Sequence, residues 1–293
     1  MATVDFQVNP STTTTYNDTV YSAIIADMVL DALMATVVTP PLLRHFDLRN
    51  QASLTVNVPI ADSFTAAALS EGTEVANTAL TTTVASGTAA EVGIMATVTD
   101  VLEVSDIPAA HGARLTQLGR SMGDKLDVDI CALLAGFSSS VGTTTVDLSV
   151  ANILEVIYTL EVANAPKPYV GVIHPAQLND LRIALEANAN APFQSQGIRA
   201  GTNELGPAGN GYAGEWFGIP FYFSTNVPTA NAAADRAGGV FSKNYALGMV
   251  EKWAAKIVPM YWPPIRGWVL VSTANYGVFE IVDAAGVELT TDA

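Results

Sequence analysis

Two short runs carry the spacing of known chemical motifs. "GRSMG", Gly119 to Gly123, matches G-x-S-x-G, in which a serine on a tight strand-to-helix turn presents its hydroxyl as a nucleophile. "GNGYAG", Gly209 to Gly214, matches G-x-G-x-x-G, whose glycines let a pyrophosphate approach a helix N-terminus. Three histidines, His45, His111 and His174, could converge on a metal, and Cys131 could supply a thiolate. Asp124, Asp127 and Asp129 crowd carboxylates into "DKLDVD", as a calcium loop does.

Context weakens each of these. Ser121 lies in the middle of the most periodic helical run in the chain, between Leu118 and Met122. A helical serine flanked by glycines, where another backbone approaches closely, is expected there. "GNGYAG" follows a loop and precedes "EWFGIPFYF", which reads as a strand and not as the helix a dinucleotide needs; a flexible loop is expected. The histidines match neither HExxH nor H-x3-H spacing, so only spatial convergence could make a metal site. His174, just before Pro175, is expected to cap a helix. "DKLDVD" lacks the glycine and closing glutamate of a calcium loop, and a solvated or subunit-facing acidic patch is expected. Cys131 sits among apolar neighbours in "DICALLAG" and reads as a small buried hydrophobe; being the only cysteine, it forms no intrachain disulfide. No catalytic, cofactor-binding or metal-ligating residue is assigned, and no cofactor. A hydrolase using Ser121 stands as an alternative from another class.

The elements that would position these residues follow from periodicity. Residues 1–17 are Thr-rich and read as an extended arm. An amphipathic helix is expected at about 20–38, halted by Pro40 and Pro41. "SLTVNVPI" alternates with period two, placing Leu54, Val56 and Val58 on one face of a strand. Residues 61–106, rich in Thr, Val, Ala and Gly, suggest a long β-hairpin arm with little core of its own, marginal unless it packs on something. Leu115, Leu118, Met122, Leu126, Ile130 and Leu133 then recur every three or four residues. With Asp106 and Pro108 as start signals and Gly136 as stop, they predict one long helix from Pro108 to Ala135. A second helix is expected over Ser149–Ala163, with Ile153, Val156, Ile157 and Leu160 on its stripe and Ser149 as N-cap. "PYVGVIHP" reads as a buried strand, and Pro175 opens a third helix through Leu178, Leu181 and Leu185. Residues 188–214 form a Gly- and Pro-rich loop, and the remainder is β-rich, giving a mixed α+β order.

Composition limits the partners. Of 293 residues 49% are apolar and 14% charged, yet no apolar run reaches the roughly 18–20 residues of a spanning helix, so no membrane partner is expected. The net charge of −15, with no Lys or Arg between Asn50 and Ala113, argues against tight nucleic-acid binding. Contact between subunits is the simplest place for the excess apolar side chains. A secreted β-rich adhesin is a further alternative. Residues 1–16 lack a basic, apolar leader, and Met1 argues for an uncleaved chain; both run against it.

The order of elements resembles the major capsid proteins of tailed bacteriophages, the Hong Kong 97-type fold. The Thr/Val-rich arm followed by "SDIPAAHGARLTQLGRSMGDKLDVDICALLAG" looks like that family's extended loop and spine helix. "VGVIHPAQLNDLRIAL", "GEWFGIPFYFSTNVP", "GGVFSKNYALGMV" and "NYGVFEIVDAAGVEL" are similar to later segments in the same order, over about residues 20–290. The resemblance implies an α+β chain divided into an N-terminal arm and helix (1–50), an extended β-hairpin loop (51–105), a spine helix and start of the peripheral domain (106–190), and an axial domain whose strands return to the peripheral domain (191–293). It places the stretch Trp216 to Phe223 in the axial domain. It implies self-assembly into hexamers and pentamers of an icosahedral shell, a virion built in the host bacterial cytoplasm. The shell encloses double-stranded DNA without sequence-specific binding, with portal, scaffolding and decoration proteins as further partners. An encapsulin-type nanocompartment shell shares the fold and is the nearer alternative. The first lysine is Lys125, beyond the arm, so the Lys–Asn crosslink some members make from that arm is not expected.

Overall fold

The computed structural model describes residues 37–61, 81–101, 108–187, 211–230 and 235–292, with scattered positions between 66 and 79. The arm expected over 1–17, nearly all of the helix expected at 20–38 and most of the loop expected over 188–214 lie outside the described residues.

The alternating and β-branched segments form twelve strands among the described residues, in three sheets. Strands β1 (Arg44–Asp47), β10 (Leu247–Trp262), β11 (Gly267–Glu280) and β4 (Ala90–Thr99) make a four-stranded sheet in the order β1-β10-β11-β4. Only β1 runs parallel to its neighbour. Strands β5 (Ser140–Val141), β12 (Gly286–Asp292), β9 (Asp235–Ser242), β6 (Tyr169–Ile173), β8 (Ile219–Phe223) and β7 (Tyr212–Trp216) make a mixed six-stranded sheet, ordered β5-β12-β9-β6-β8-β7. Strands β2 (Thr55–Ala61) and β3 (Thr82–Thr88) pair antiparallel as a two-stranded ribbon.

The segment expected as one hairpin arm divides in two. β4 is an integral strand of the four-stranded sheet, paired with β11 from Thr99↔Gly267 to Ala90↔Tyr276. The ribbon proper also has an apolar footing within its own chain. Val56, Val58, Ile60 and Ala85 pack on Leu48, Ala89, Val250, Phe279 and Ile281. At Gly87 a Cβ would strike the Phe279 ring, and at Gly277, where two backbones come close, it would strike the Thr88 carbonyl. A two-stranded ribbon is marginal alone, and this packing holds its root.

Helix α1 (Pro108–Ala132) continues into a 3-10 turn at Leu133–Gly136, close to the expected end. Its 25 residues span about 37 Å at 1.5 Å per residue. That length lets one stripe serve both sheets. Leu118 packs with Val98 and Leu270 on the four-stranded sheet, while Ile130 and Leu134 reach Val170, Val172 and Phe241 on the six-stranded one. Helices α2 (Val150–Val162) and α3 (Pro175–Ala187) contribute to the second large cluster. Ile153, Val156 and Leu160 on α2 are each 0% exposed, worth about 1.5–3 kcal/mol apiece on transfer from water. Ser149 is the N-cap of α2, accepting from Asn152 N, as its sequence predicts.

One expectation changes here. Trp216 to Phe223 is not one strand: β7 and β8 form a hairpin around Phe217 and Gly218, both with positive φ (53° and 78°). Positive φ at both central positions of a two-residue loop matches the right-handed twist of the flanking strands, but asparagine usually takes the position held by Phe217, so the turn was hidden. Strands β6 and β8, on either side of residue 190, are parallel neighbours in the six-stranded sheet.

Candidate assembly surfaces

The described motif residues make contacts within the fold. Ser121 sits within α1 and its hydroxyl donates to the Gln117 carbonyl at 2.9 Å, the back-bonding of a helical serine. His45 Nε2 pairs with the Pro40 carbonyl at 2.8 Å, and the His111 side chain lies outside the described residues. His174 does cap α3: its Nδ1 accepts from Ala176 N at 3.2 Å. Burial, and then the nearby Arg236 charge, hold the His174 pKa below its ordinary value. No cluster of three or more His, Cys, Asp or Glu suited to a metal occurs among the described residues.

The acidic run corrects the sequence reading. Asp127 is 1% exposed, not a solvated patch. Its Oδ1 accepts from Thr39 N at 3.0 Å, Thr39 Oγ1 at 2.6 Å and Val38 N at 3.3 Å, and its Oδ2 accepts from Ser224 Oγ at 3.0 Å. One carboxylate thus ties the start of the described chain, the long helix and the loop after β8. Asp129 faces elsewhere, accepting from Lys125 Nζ at 2.6 Å and the Tyr276 hydroxyl at 2.9 Å. Burial and that bond raise the Tyr276 pKa. Cys131 is fully buried, and desolvation together with Asp127 pushes its thiol up to about 12, against an opposing hydrogen bond from Ser224.

Gln177 was missed altogether. Its Oε1 accepts from His174 N at 3.0 Å, and its Nε2 donates to the carbonyls of Arg236 and Leu289 and to Thr291 Oγ1. It closes a capping box on α3 and bolts that helix to β9 and β12. The spacing "HPAQ", with a glutamine three residues after the cap, was the available signal.

Several large apolar side chains are exposed. On α2, Leu154, Tyr158 and Val162 are 48%, 68% and 61% exposed, and their four-residue spacing lines them up along one side of the helix. On the four-stranded sheet, Met95, Val258 and Met260 stand out on one face, Met95 and Val258 each paired with Val271 and Met260 with Val269. On the ribbon, Leu54 and Val84 are exposed. Exposed apolar surface grouped in this way marks contact sites.

No protein-family model matches the sequence, and no curated protein does. Solved structures do match across nearly the whole chain. One from Mycobacterium phage Che8 aligns with TM-score 0.68 at 17% identity, covering 86% of this chain and 90% of that one. The capsid of Ralstonia phage GP4 aligns at 0.63 and 11% identity, over 89% and 90%. A virus-like particle from Pyrococcus furiosus aligns at 0.58 and 11%, over 92% and 99%. The chain has the Hong Kong 97-type capsid fold.

Asp127 sits on α1, and the exposed apolar residues lie on three separate elements: the β2–β3 ribbon, the four-stranded sheet and α2.

Proposed function

We propose that this chain is the major capsid protein of a tailed bacteriophage, assembling with copies of itself into the hexamers and pentamers of an icosahedral shell around double-stranded DNA. The likeness to the capsid chain of Ralstonia phage GP4 over 89% of this chain and 90% of that one carries the reading. The apolar patches fit it. They lie on different elements, so one copy would present a different patch from the one its neighbour offers, as the heterologous, closing contacts of rings require. In this reading the role is structural, with no catalytic residue or cofactor. The six-stranded layer with α2 and α3 would supply the axial domain, and the four-stranded sheet with α1 the peripheral domain. The net charge of −15 suits a container that holds DNA without gripping it. Portal, scaffolding and decoration proteins would complete the virion, assembled in the host cytoplasm.

Expression of the chain with its genomic neighbours, followed by negative-stain microscopy and sedimentation, tests this. Uniform closed hollow particles are expected. A chain that stays monomeric or dimeric in that setting would overturn the shell reading. An encapsulin-type compartment shell is the second reading, favoured by the match covering 99% of the Pyrococcus furiosus particle chain. Nuclease-resistant DNA inside the particles supports the capsid, whereas a packaged protein cargo supports the compartment.

A further inference from the structure

Three passages of the chain between the two large sheets meet at one place. The segment after α1, Phe137 to Ser139, enters the six-stranded sheet at β5; residues 243–246 leave it from β9 to β10; residues 281–285 return to it from β11 to β12. They are tied to one another. Ile281 N donates to the Ala246 carbonyl at 2.7 Å and Glu288 N to the Ser139 carbonyl at 2.8 Å. The Phe137 ring fills the space that a Cβ on Gly286 would take. The setting of one sheet against the other is therefore held at this joint.

Two carboxyl groups sit in it, both partly buried. Glu280 ends β11 and Asp283 opens the 3-10 turn Asp283–Ala285. Asp283 accepts from Ser138 N at 2.8 Å and from the Ser138 hydroxyl, and the Glu280 carboxyl lies in hydrogen-bond contact with it. Two carboxylates offer no donor, so that contact needs a proton on one of them. The two Ser138 donors favour the ionised form of Asp283, which leaves the proton to Glu280. The pKa directions agree. Burial, then the Asp283 charge and the bond to it, raise that of Glu280. Against its own desolvation, the bonds from Ser138 and Glu280 lower that of Asp283. The other ionisable side chains on the elements packed here are Arg44 on β1, Lys243 and Tyr245 before β10, Asp129 on α1, Tyr276 on β11 and Glu288 on β12. Among the described residues, the charge that acts on Glu280 is that of Asp283.

We propose that Glu280 and Asp283 form a proton-operated latch on the joint between the two sheets. With one proton held, Glu280 donates to Asp283, and Asp283 holds Ser138. When the proton leaves, two carboxylates face each other and the joint loosens. The latch belongs to a single chain and stands whether or not that chain builds a shell.

Hydrogen exchange in the purified, unassembled full-length chain tests this, read by mass spectrometry on peptides carrying the Ser138, Ile281 and Glu288 amides and corrected for the intrinsic pH dependence of exchange. Because the Glu280 pKa is raised, the hold is present at acidic pH and lost as pH rises through that value. Glu280→Gln carries a donor at every pH. At pH 8 its joint amides should exchange about tenfold more slowly than the parent's, the effect of one hydrogen bond to a charged group. The parent should approach that protection as pH falls to about 5, and Asp283→Asn, which removes the repulsion, should flatten the response. Equal exchange of the parent and Glu280→Gln at pH 8 overturns the proposal, as does a parent that does not slow on acidification. Slowing by the same factor in the β10–β11 pairing around Val269 also overturns it, assigning the effect to global stability. Should Glu280→Gln fail to fold, Asp283→Asn decides: a pH response as large as the parent's overturns the latch.

Discussion

Replacing Asp127 with alanine is the sharpest test of how the fold is held. The substitution strips the acceptor from two buried donors on Thr39 and one on Ser224, and loosens Val38 N. Each buried donor left unpaired costs about 1–3 kcal/mol, and the two hydroxyls can turn to recover part of that. A net loss of about 3–5 kcal/mol is expected, a large effect for one side chain. Asp127→Asn separates hydrogen bonding from packing. Its amide oxygen can keep the three Oδ1 contacts, and its nitrogen can donate to a rotated Ser224 hydroxyl, so about 1–2 kcal/mol should be lost, the charge-assisted share. Urea unfolding of the unassembled chain, followed by tryptophan fluorescence, measures both. A loss under about 1 kcal/mol for the alanine variant would refute the hub, since unpaired buried donors cannot be that cheap. So would an asparagine variant as damaged as the alanine one.

Three further outcomes follow from the geometry. His174→Ala should cost about 1 kcal/mol through loss of the α3 cap, with Asn restoring most of it; because the folded pKa is lowered, the cap's contribution is present above the ordinary value of 6.5 and is lost as pH falls below it, which thermal melts at pH 5 and 7.5 would show. Gly277→Ala drives a methyl into the Thr88 carbonyl and should destabilise by about 1–3 kcal/mol, seen as faster proteolysis of the β2–β3 ribbon. Cys131, raised from 9.0 to about 12, should resist thiol reagents in the native chain. The unfolded thiol ionises first, so stability should fall as pH rises from 9 towards 12, and Cys131→Ala should flatten that slope.

Much of the architecture was legible because local patterns and tertiary needs agreed. The stripe from Leu118 to Leu133 named the long helix α1, Ser149 and His174 named two caps, and the alternation in "SLTVNVPI" named β2, since periodicity and capping are set by residues within one or two turns. Other features stayed hidden for identifiable reasons. Val38, Thr39 and Ser224 meet Asp127 across 89, 88 and 97 residues of sequence, and nothing in "DKLDVD" distinguishes a buried acceptor from a solvated one. The Phe217–Gly218 turn used an uncommon residue at positive φ. β4 looked like arm because alternation shows that a strand exists, not which strand it pairs with. By itself, then, the sequence determined the elements, their order and their apolar faces. The tertiary structure decided which faces met, because pairing and burial depend on distant partners, and so it decided which polar groups became anchors and which apolar ones stayed free for contact.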